Sequence, residues 1–225
     1  MANRRSVLEQ MRTAIEEVNA DVVCVQEVSG INSLSTTASS QFEFLAERIW
    51  PHHAYGKNAT YSKGHHGNAI LSRYPIVDWH NLNLTTYRFE KRGLLHVKLQ
   101  ISENIFVHIL NVHLDLFDFS RSKQALKIRD YIKKNIHDDQ PVVLCGDFND
   151  WQKTMSTFFA KEVNLQEVFF LSTGKHALTF PAIKPILPLD RIYYTNLKLV
   201  EHQTLHKSPW HKLSDHIALT ASFII

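Results

Sequence analysis

A chain of 225 residues is long enough to bury one sizeable core. Its hydrophobic fraction of 44% and charged fraction of 21% are those of a soluble globular protein, and only 7 glycines exclude a collagen-like or low-complexity chain. A formal net charge of +3 suits an anionic substrate but falls short of the basic balance that would by itself argue for nucleic-acid binding.

Leu8, Met11, Ile15 and Val18 recur at helical spacing, with Ser6 and Glu9 placed as a capping box. Val22 to Val25 then reads as a buried strand ending in Gln26-Glu27. Residues 29–41 are rich in Ser and Thr without periodicity, which predicts a loop, and Phe42, Leu45 and Ile49 suggest a second helix. A tight turn is expected over 64–68, followed by a short strand over 69–72. Strands around 76–86, 94–101 and 105–113 follow with short connections, as a meander. Asn111 and His113 share one face of the last, and His113 stands at its end; His96 and His108 lie mid-strand and read as core or edge histidines.

Ala125, Ile128, Ile132 and Ile136 define a third helix, with Arg121 and Gln124 in its first turn. Four apolar residues, Val142 to Cys145, are bounded by Pro141 and Gly146 and end in Asp147-Phe148-Asn149-Asp150. Such a run is a strand buried on both faces, and carboxylates at its end become reasonable if it opens onto a polar cleft. An Asx-type turn, with Asp147 or Asn149 capping the helix expected over 153–160, explains the same residues. A strand over 189–194 carries Asp190 near its start, and a basic, aromatic loop spans 207–212. Ser214-Asp215-His216 precedes a final alternating strand over 217–223. There is no linker, repeat or composition break, so residues 1–225 are expected to form a single domain.

The two cysteines, Cys24 and Cys145, sit in apolar runs and are expected to be buried free thiols, which fits a reducing, cytoplasmic compartment. No apolar run approaches the ~20 residues that a membrane span needs, and no signal-peptide pattern opens the chain.

Glu27, His113, Asp147, Asn149, Asp190, Asp215 and His216 all flank predicted strands and could converge at one end of a sheet structure. Oxygen ligands without paired cysteines point to a hard cation, Mg²⁺ or Mn²⁺, rather than zinc. Histidines near a phosphate can donate hydrogen bonds, and a carboxylate can orient and deprotonate water. The inventory fits metal-assisted hydrolysis of a phosphate ester. No H-E-x-x-H, G-x-S-x-G or P-loop pattern is present, and His52-His53 and His65-His66 lack the helical spacing of a zinc pair.

Six motifs in order carry a resemblance. They are the run 21–27 ending in Gln26-Glu27, Gly67-Asn68-Ala69-Ile70-Leu71-Ser72-Arg73-Tyr74-Pro75-Ile76, and Asn111-Val112-His113-Leu114 with Arg121 and Gln124. Gly146-Asp147-Phe148-Asn149, Leu189-Asp190-Arg191-Ile192 and Ser214-Asp215-His216 complete them. Together they resemble the endonuclease/exonuclease/phosphatase superfamily, most closely a small bacterial branch of unassigned substrate. The resemblance implies an α/β fold, a four-layer α-β-β-α sandwich of two mixed sheets. It implies that Glu27 holds the metal, with Asp215 beside metal and phosphate, and that Asp147 positions or activates the attacking water. Asn149, His113 and His216 are expected to contact the scissile phosphate, Asp190 to orient His216, and Asn68 to stand in the cleft wall near the phosphate.

In that family a strand ending in a metal-site Asn ordinarily precedes the first helix. Here the chain starts at the helix, so that strand is expected to be absent and its neighbour to show an unpaired edge. Two functional classes follow: a Mg²⁺-dependent phosphoesterase, or a catalytically impaired relative that binds a partner or phosphate ligand. A nucleic-acid substrate would use Arg88, Lys91, Arg92, Lys207 and Lys212, whereas a lipid or small phosphodiester would use Trp210 and Phe117. Trp151 reads as packing.

Overall fold

Strands that are apolar on both faces set the layering. A computed structural model describes residues 4–30, 40–47, 49–61, 64–87 and 90–225. In β3 (Gly64–Ser72), Ile70 joins Leu95, Val97 and Ile109 on one side, while Leu71 packs with Ile15, Leu45 and Trp50 on the other. β5 (Gly93–Ser102) and β6 (Ile105–His113) divide in the same way. Leu95, Val97, Val107 and Ile109 face inward, and Leu94, Leu110 and Val112 meet Ala125, Ile128 and Ile132 of α3 (Asp118–Asn135). Alternation at period two therefore produces two apolar interfaces from each strand. The outer layers are α1 (Arg4–Val18) with α2 (Gln41–Ala46), and α3 with α4 (Met155–Val163). This is the expected α/β architecture of four layers.

The larger sheet runs β4 (Ile76–Asn83), β5, β6, β7 (Val142–Asp147), β9 (Asp190–Thr195), β8 (Gln166–Glu167). Its β6–β7 pair is parallel, joined through α3, and the remaining pairs are antiparallel. Facing it are an antiparallel sheet β1 (Val22–Ser29)–β3–β2 (His52–Tyr61) and a separate pair, β10 (Lys198–Thr204) and β11 (Leu219–Ile224). The second layer thus comes in two pieces. Among the described residues β1 pairs only with β3 and β11 only with β10, so one edge of each is open. Cys24 and Cys145 are free thiols, half-buried where β1 lies over β7; their mutual hydrogen bond, with burial, pushes the Cys24 thiol up.

Several boundaries differ from expectation. The turn expected over 64–68 is the start of β3, and β2 was not foreseen, because its inward positions are the small residues Ala54, Gly56 and Ala59. The helix expected over 153–160 begins at Met155, since Lys153 has φ +63°. The side chain of Ser6, most of the loop over 29–41, and Arg88 lie outside the described residues. Among the described residues no helix is long and apolar enough to cross a membrane.

Candidate active site

Strand register alone brings three of the polar clusters together. His113 is the partner of Asp147 across β6 and β7, and Asp147 is the partner of Asp190 across β7 and β9. At ~4.8 Å between neighbouring strands, these three side chains occupy one short arc at the sheet end. Gly146 is needed just before Asp147: its φ is +132°, and a Cβ there would come within 2.0 Å of the Val112 carbonyl oxygen. The loop carrying His216 then closes over the arc, and His216 Nδ1 lies 2.8 Å from Asp190 Oδ2. Thr179 Oγ1 holds the other side of this turn, accepting the N–H groups of Leu189 and Asp190 at 3.2 Å each.

His113 sits between two carboxylates, with Nε2 3.5 Å from Asp147 Oδ2 and Nδ1 3.7 Å from Glu27 Oε1. Glu27 stands where β1 bulges out of register, at φ +56°, and its side chain is 68% exposed. The structure therefore brings Glu27, His113, Asp147, Asp190 and His216 into one connected chain of contacts. Asn149, at φ +48°, donates its side-chain amide to the Leu114 carbonyl at 2.9 Å, and its backbone N–H donates to Asp147 Oδ1 at 2.8 Å. Asp215 is exposed beside His216 and adds its charge to that imidazole's surroundings. Asn68 is buried behind the site and donates to the Gly93 and Asn111 carbonyls at 3.1 and 3.3 Å, tying β3 to β5 and β6.

Electrostatics separates these groups. Burial pulls His113 down to about 3, helped by the positive charges of Arg92 and His216, so it is neutral at physiological pH. Burial also acts against charge on His216, but the hydrogen bond and charge of Asp190, with Asp147 and Asp215, outweigh it and raise the imidazole to about 9. Asp147 is pushed up to about 6 by burial and by neighbouring Asp190, against the Asn149 N–H that favours its charged form. The site thus offers a neutral imidazole, an imidazolium and a carboxylate poised near neutrality. That combination suits proton transfer and stabilisation of developing negative charge.

Among the described residues no set of three or more acidic, histidine or cysteine side chains is arranged to hold a metal by itself. Magnesium does not need one, because it keeps several waters and takes one or two carboxylates plus substrate phosphate. The exposed Glu27 carboxylate, a hard oxygen donor, fits that demand.

Other residues complete the site from behind. Asn111, which shares a face with His113, accepts from Gln26 Nε2 at 2.7 Å and donates to the Val25 and Ala69 carbonyls at 3.0 Å each, pinning β1 to β6 beside Glu27. Gln124 accepts the Asp115 N–H at 2.9 Å and donates to the Leu84 carbonyl at 3.2 Å. Arg121 binds the Leu116 carbonyl at 2.5 Å and lies 4.4 Å over the Trp151 ring, which gives that tryptophan a packing role. The cap on α4 comes from Asp150, which accepts from the N–H groups of Thr154 and Met155 at 3.1 and 3.0 Å, leaving Asp147 and Asn149 to the cleft. Asp115 and Thr179 were not expected in the site; they accept the backbone N–H groups of Phe117 and of Leu189 and Asp190, a turn-holding role that no spacing announces. Trp210 packs against the α1 cluster, while Phe117 is exposed beside Tyr87.

A sequence profile of the Endonuclease/Exonuclease/phosphatase family matches residues 2–216, and the chain belongs to that family. It is similar to the uncharacterized protein YbhP of Escherichia coli K12, 38% identical over 226 residues that cover 97% of this chain and 89% of YbhP. The fold is shared with an endonuclease/exonuclease/phosphatase from Beutenbergia cavernae, at a TM-score of 0.75 and 18% identity; the match covers 95% of this chain and 65% of that one. It is shared also with the catalytic domain of human Nocturnin, solved with bound sulfate, at a TM-score of 0.77 and 20% identity over 98% of this chain and 87% of that one. Members of the family are generally hydrolases of phosphate esters and generally use divalent metals.

Proposed function

We propose that this protein is a divalent-metal-dependent phosphoesterase that hydrolyses phosphodiester bonds with an activated water. The observation that supports this most directly is the in-register row His113–Asp147–Asp190 with His216 bonded to its last member. Asp147 Oδ2 takes a proton from the attacking water, since Oδ1 already accepts the Asn149 N–H. The water oxygen bonds to phosphorus as the bond to the leaving oxygen breaks, and that oxygen takes up a proton from solvent as Asp147 returns its own to solvent. His216, kept protonated by Asp190, donates to a phosphoryl oxygen and spreads the developing charge. Neutral His113 and the remaining amide hydrogen of Asn149 orient the phosphate. Glu27 would hold Mg²⁺ or Mn²⁺, with Asp215 close by, and the bound cation would supply Lewis-acid polarisation of the phosphate.

The test is turnover of bis(p-nitrophenyl) phosphate and of a phosphomonoester, with and without chelator. Loss of diester turnover in EDTA and its return with Mg²⁺ is expected; absence of turnover and of calorimetric Mg²⁺ binding would favour the impaired, ligand-binding relative. The positive charge of Arg92, which also pairs with Glu90 at 3.4 Å, acts on both His113 and Asp147 and so supports an anionic substrate beside them. With Lys91, Lys207 and Lys212 it supports a nucleic-acid substrate, for which affinity should fall steeply with salt. A shallow slope would point instead to a small diester resting on Phe117.

A further inference from the structure

A second arrangement of reactive side chains lies away from this cleft, in a cavity of about 800 Å³ between α4, α5 (Val168–Thr173) and the loop that follows α5. We propose that Ser156, His176 and Glu167 form a metal-independent hydrolytic site for carboxylic esters with an apolar acyl group. His176 Nδ1 lies 2.9 Å from Glu167 Oε2, and His176 Nε2 lies 3.5 Å from Ser156 Oγ. These are the roles of an orienting carboxylate, a base and a nucleophile, in the order hydrolytic triads use them. The hydrogens can be assigned without conflict. His176 donates through Nδ1 to Glu167, its Nε2 lone pair accepts from Ser156, and the buried Tyr193 hydroxyl, 3.1 Å from Ser156 Oγ, donates to that oxygen.

The pair behind the serine is held firmly. Side-chain exposure is 5% for His176 and 1% for Glu167, whose two oxygens also accept the N–H groups of Phe169 and Phe170 at 3.3 and 2.6 Å. The His176 ring stacks on Phe170 at 4.9 Å. Ser156 is in the first turn of α4, where the Met155 N–H is taken by Asp150 and the Phe158 N–H by the Thr154 carbonyl. The N–H groups between them, of Ser156 and Thr157, have no carbonyl within the helix to bond and can face an oxyanion. Ala160, Phe170, Leu171, Leu178 and Pro188 give the cavity its apolar lining, and its volume suits a small ligand.

In the reaction Ser156 Oγ bonds to the ester carbonyl carbon while its proton passes to His176 Nε2. The bond from that carbon to the alcohol oxygen then breaks, and the alcohol leaves with the proton. Water repeats the sequence on the acyl-serine, releasing the acid and restoring Ser156. No metal or co-reactant other than water is required, so the site stands or falls independently of the phosphoesterase reading.

The experiment uses the full chain in EDTA with p-nitrophenyl butyrate, followed by a fluorophosphonate and peptide mapping by mass spectrometry. Ester turnover in chelator, an adduct on Ser156 and loss of turnover on labelling are expected. Ser156→Ala and His176→Asn should each lower turnover by ~10²-fold or more. Because Ser156→Ala removes the partner of the buried Tyr193 hydroxyl and could unfold the chain, the adduct on the unaltered protein is the deciding readout. No turnover, no adduct on Ser156 under excess reagent, or full turnover in a folded Ser156→Ala protein would overturn the proposal.

Discussion

The larger sheet carries two clusters of histidine with opposite chemistry. On its outer face, beneath α3, His96 Nε2 lies 2.8 Å from His108 Nδ1, and His96 Nδ1 lies 2.9 Å from the Tyr131 hydroxyl. Burial pulls both imidazoles to about 4; His108 and Lys98 add to the effect on His96 and His108 respectively, while Asp78 on β4 opposes it weakly. At the strand ends, His216 is also partly buried but accepts the field of Asp190, Asp147 and Asp215, and is raised to about 9. Burial is common to both places. For His216 the bonded Asp190 carboxylate at 2.8 Å decides the sign, whereas His113, whose carboxylate neighbours stand at 3.5 and 3.7 Å, stays below its ordinary value like the outer pair. Only the second cluster therefore presents a cation to a phosphate at neutral pH.

The strongest way to sharpen this contrast is to remove the carboxylate nearest the chemistry. Asp147→Asn is expected to lower phosphodiester turnover by ~10²- to 10⁴-fold, measured as kcat. The same change should stabilise the metal-free fold at pH 7. Asp147 is raised to about 6 in the folded state, above its ordinary 3.8, so its ionised form works against folding above that range. The melting midpoint should rise, by about 2–4 °C per kcal/mol gained. A site residue that impairs stability while serving the reaction is the signature expected of function. Unchanged turnover would end its assignment as base.

Breaking the Asp190–His216 pair comes next. Asp190→Asn leaves His216 with burial but without its bonded anion, so its protonated fraction at pH 7 should drop. Turnover is expected to fall by ~10²-fold. Because the two residues act as one unit, Asp190→Asn combined with His216→Gln should be little worse than His216→Gln alone. Additive losses in that cycle would show that Asp190 acts elsewhere.

The two clusters also differed in how much of them the sequence disclosed. Asp147, Asp190 and His113 stood out because each ends or begins an apolar run, where an unneeded charge would be costly. Their convergence followed once β6, β7 and β9 paired in register, a pairing the both-face apolar runs anticipate. The His96–His108 bond was invisible, because it depends on the register of β5 against β6, in which Lys98 rather than His96 is paired with His108. The cap was expected from Asp147 or Asn149, and only the helix start at Met155 shows that Asp150 serves instead. β10 went unseen because its side chains are mostly exposed and polar, so no apolar stripe marks it.

The outer cluster has the smallest effect on turnover and is read in stability instead. Both imidazoles have folded values near 4, below the ordinary 6.5, so folding favours their neutral forms. Their contribution is fully present above pH 6.5 and is lost as pH falls from there through 4, at up to ~1.4 kcal/mol per pH unit for each. Urea midpoints at pH 7.5, 6.5, 5.5 and 4.5 should decline below 6.5 in the native chain. Facing His108 are Lys98 from β5, Asp78 and His80 from β4, Tyr131 from α3, and Gln140, which favours its charged form. Gln140→Glu would add a second carboxylate to the outer cluster beside Asp78, leaving the catalytic carboxylates untouched. His108 should then rise toward the behaviour of His216, and the acid decline should flatten by about half, since His96 keeps its own burial. An unaltered pH slope in Gln140→Glu would mean that the two clusters differ by more than a neighbouring carboxylate.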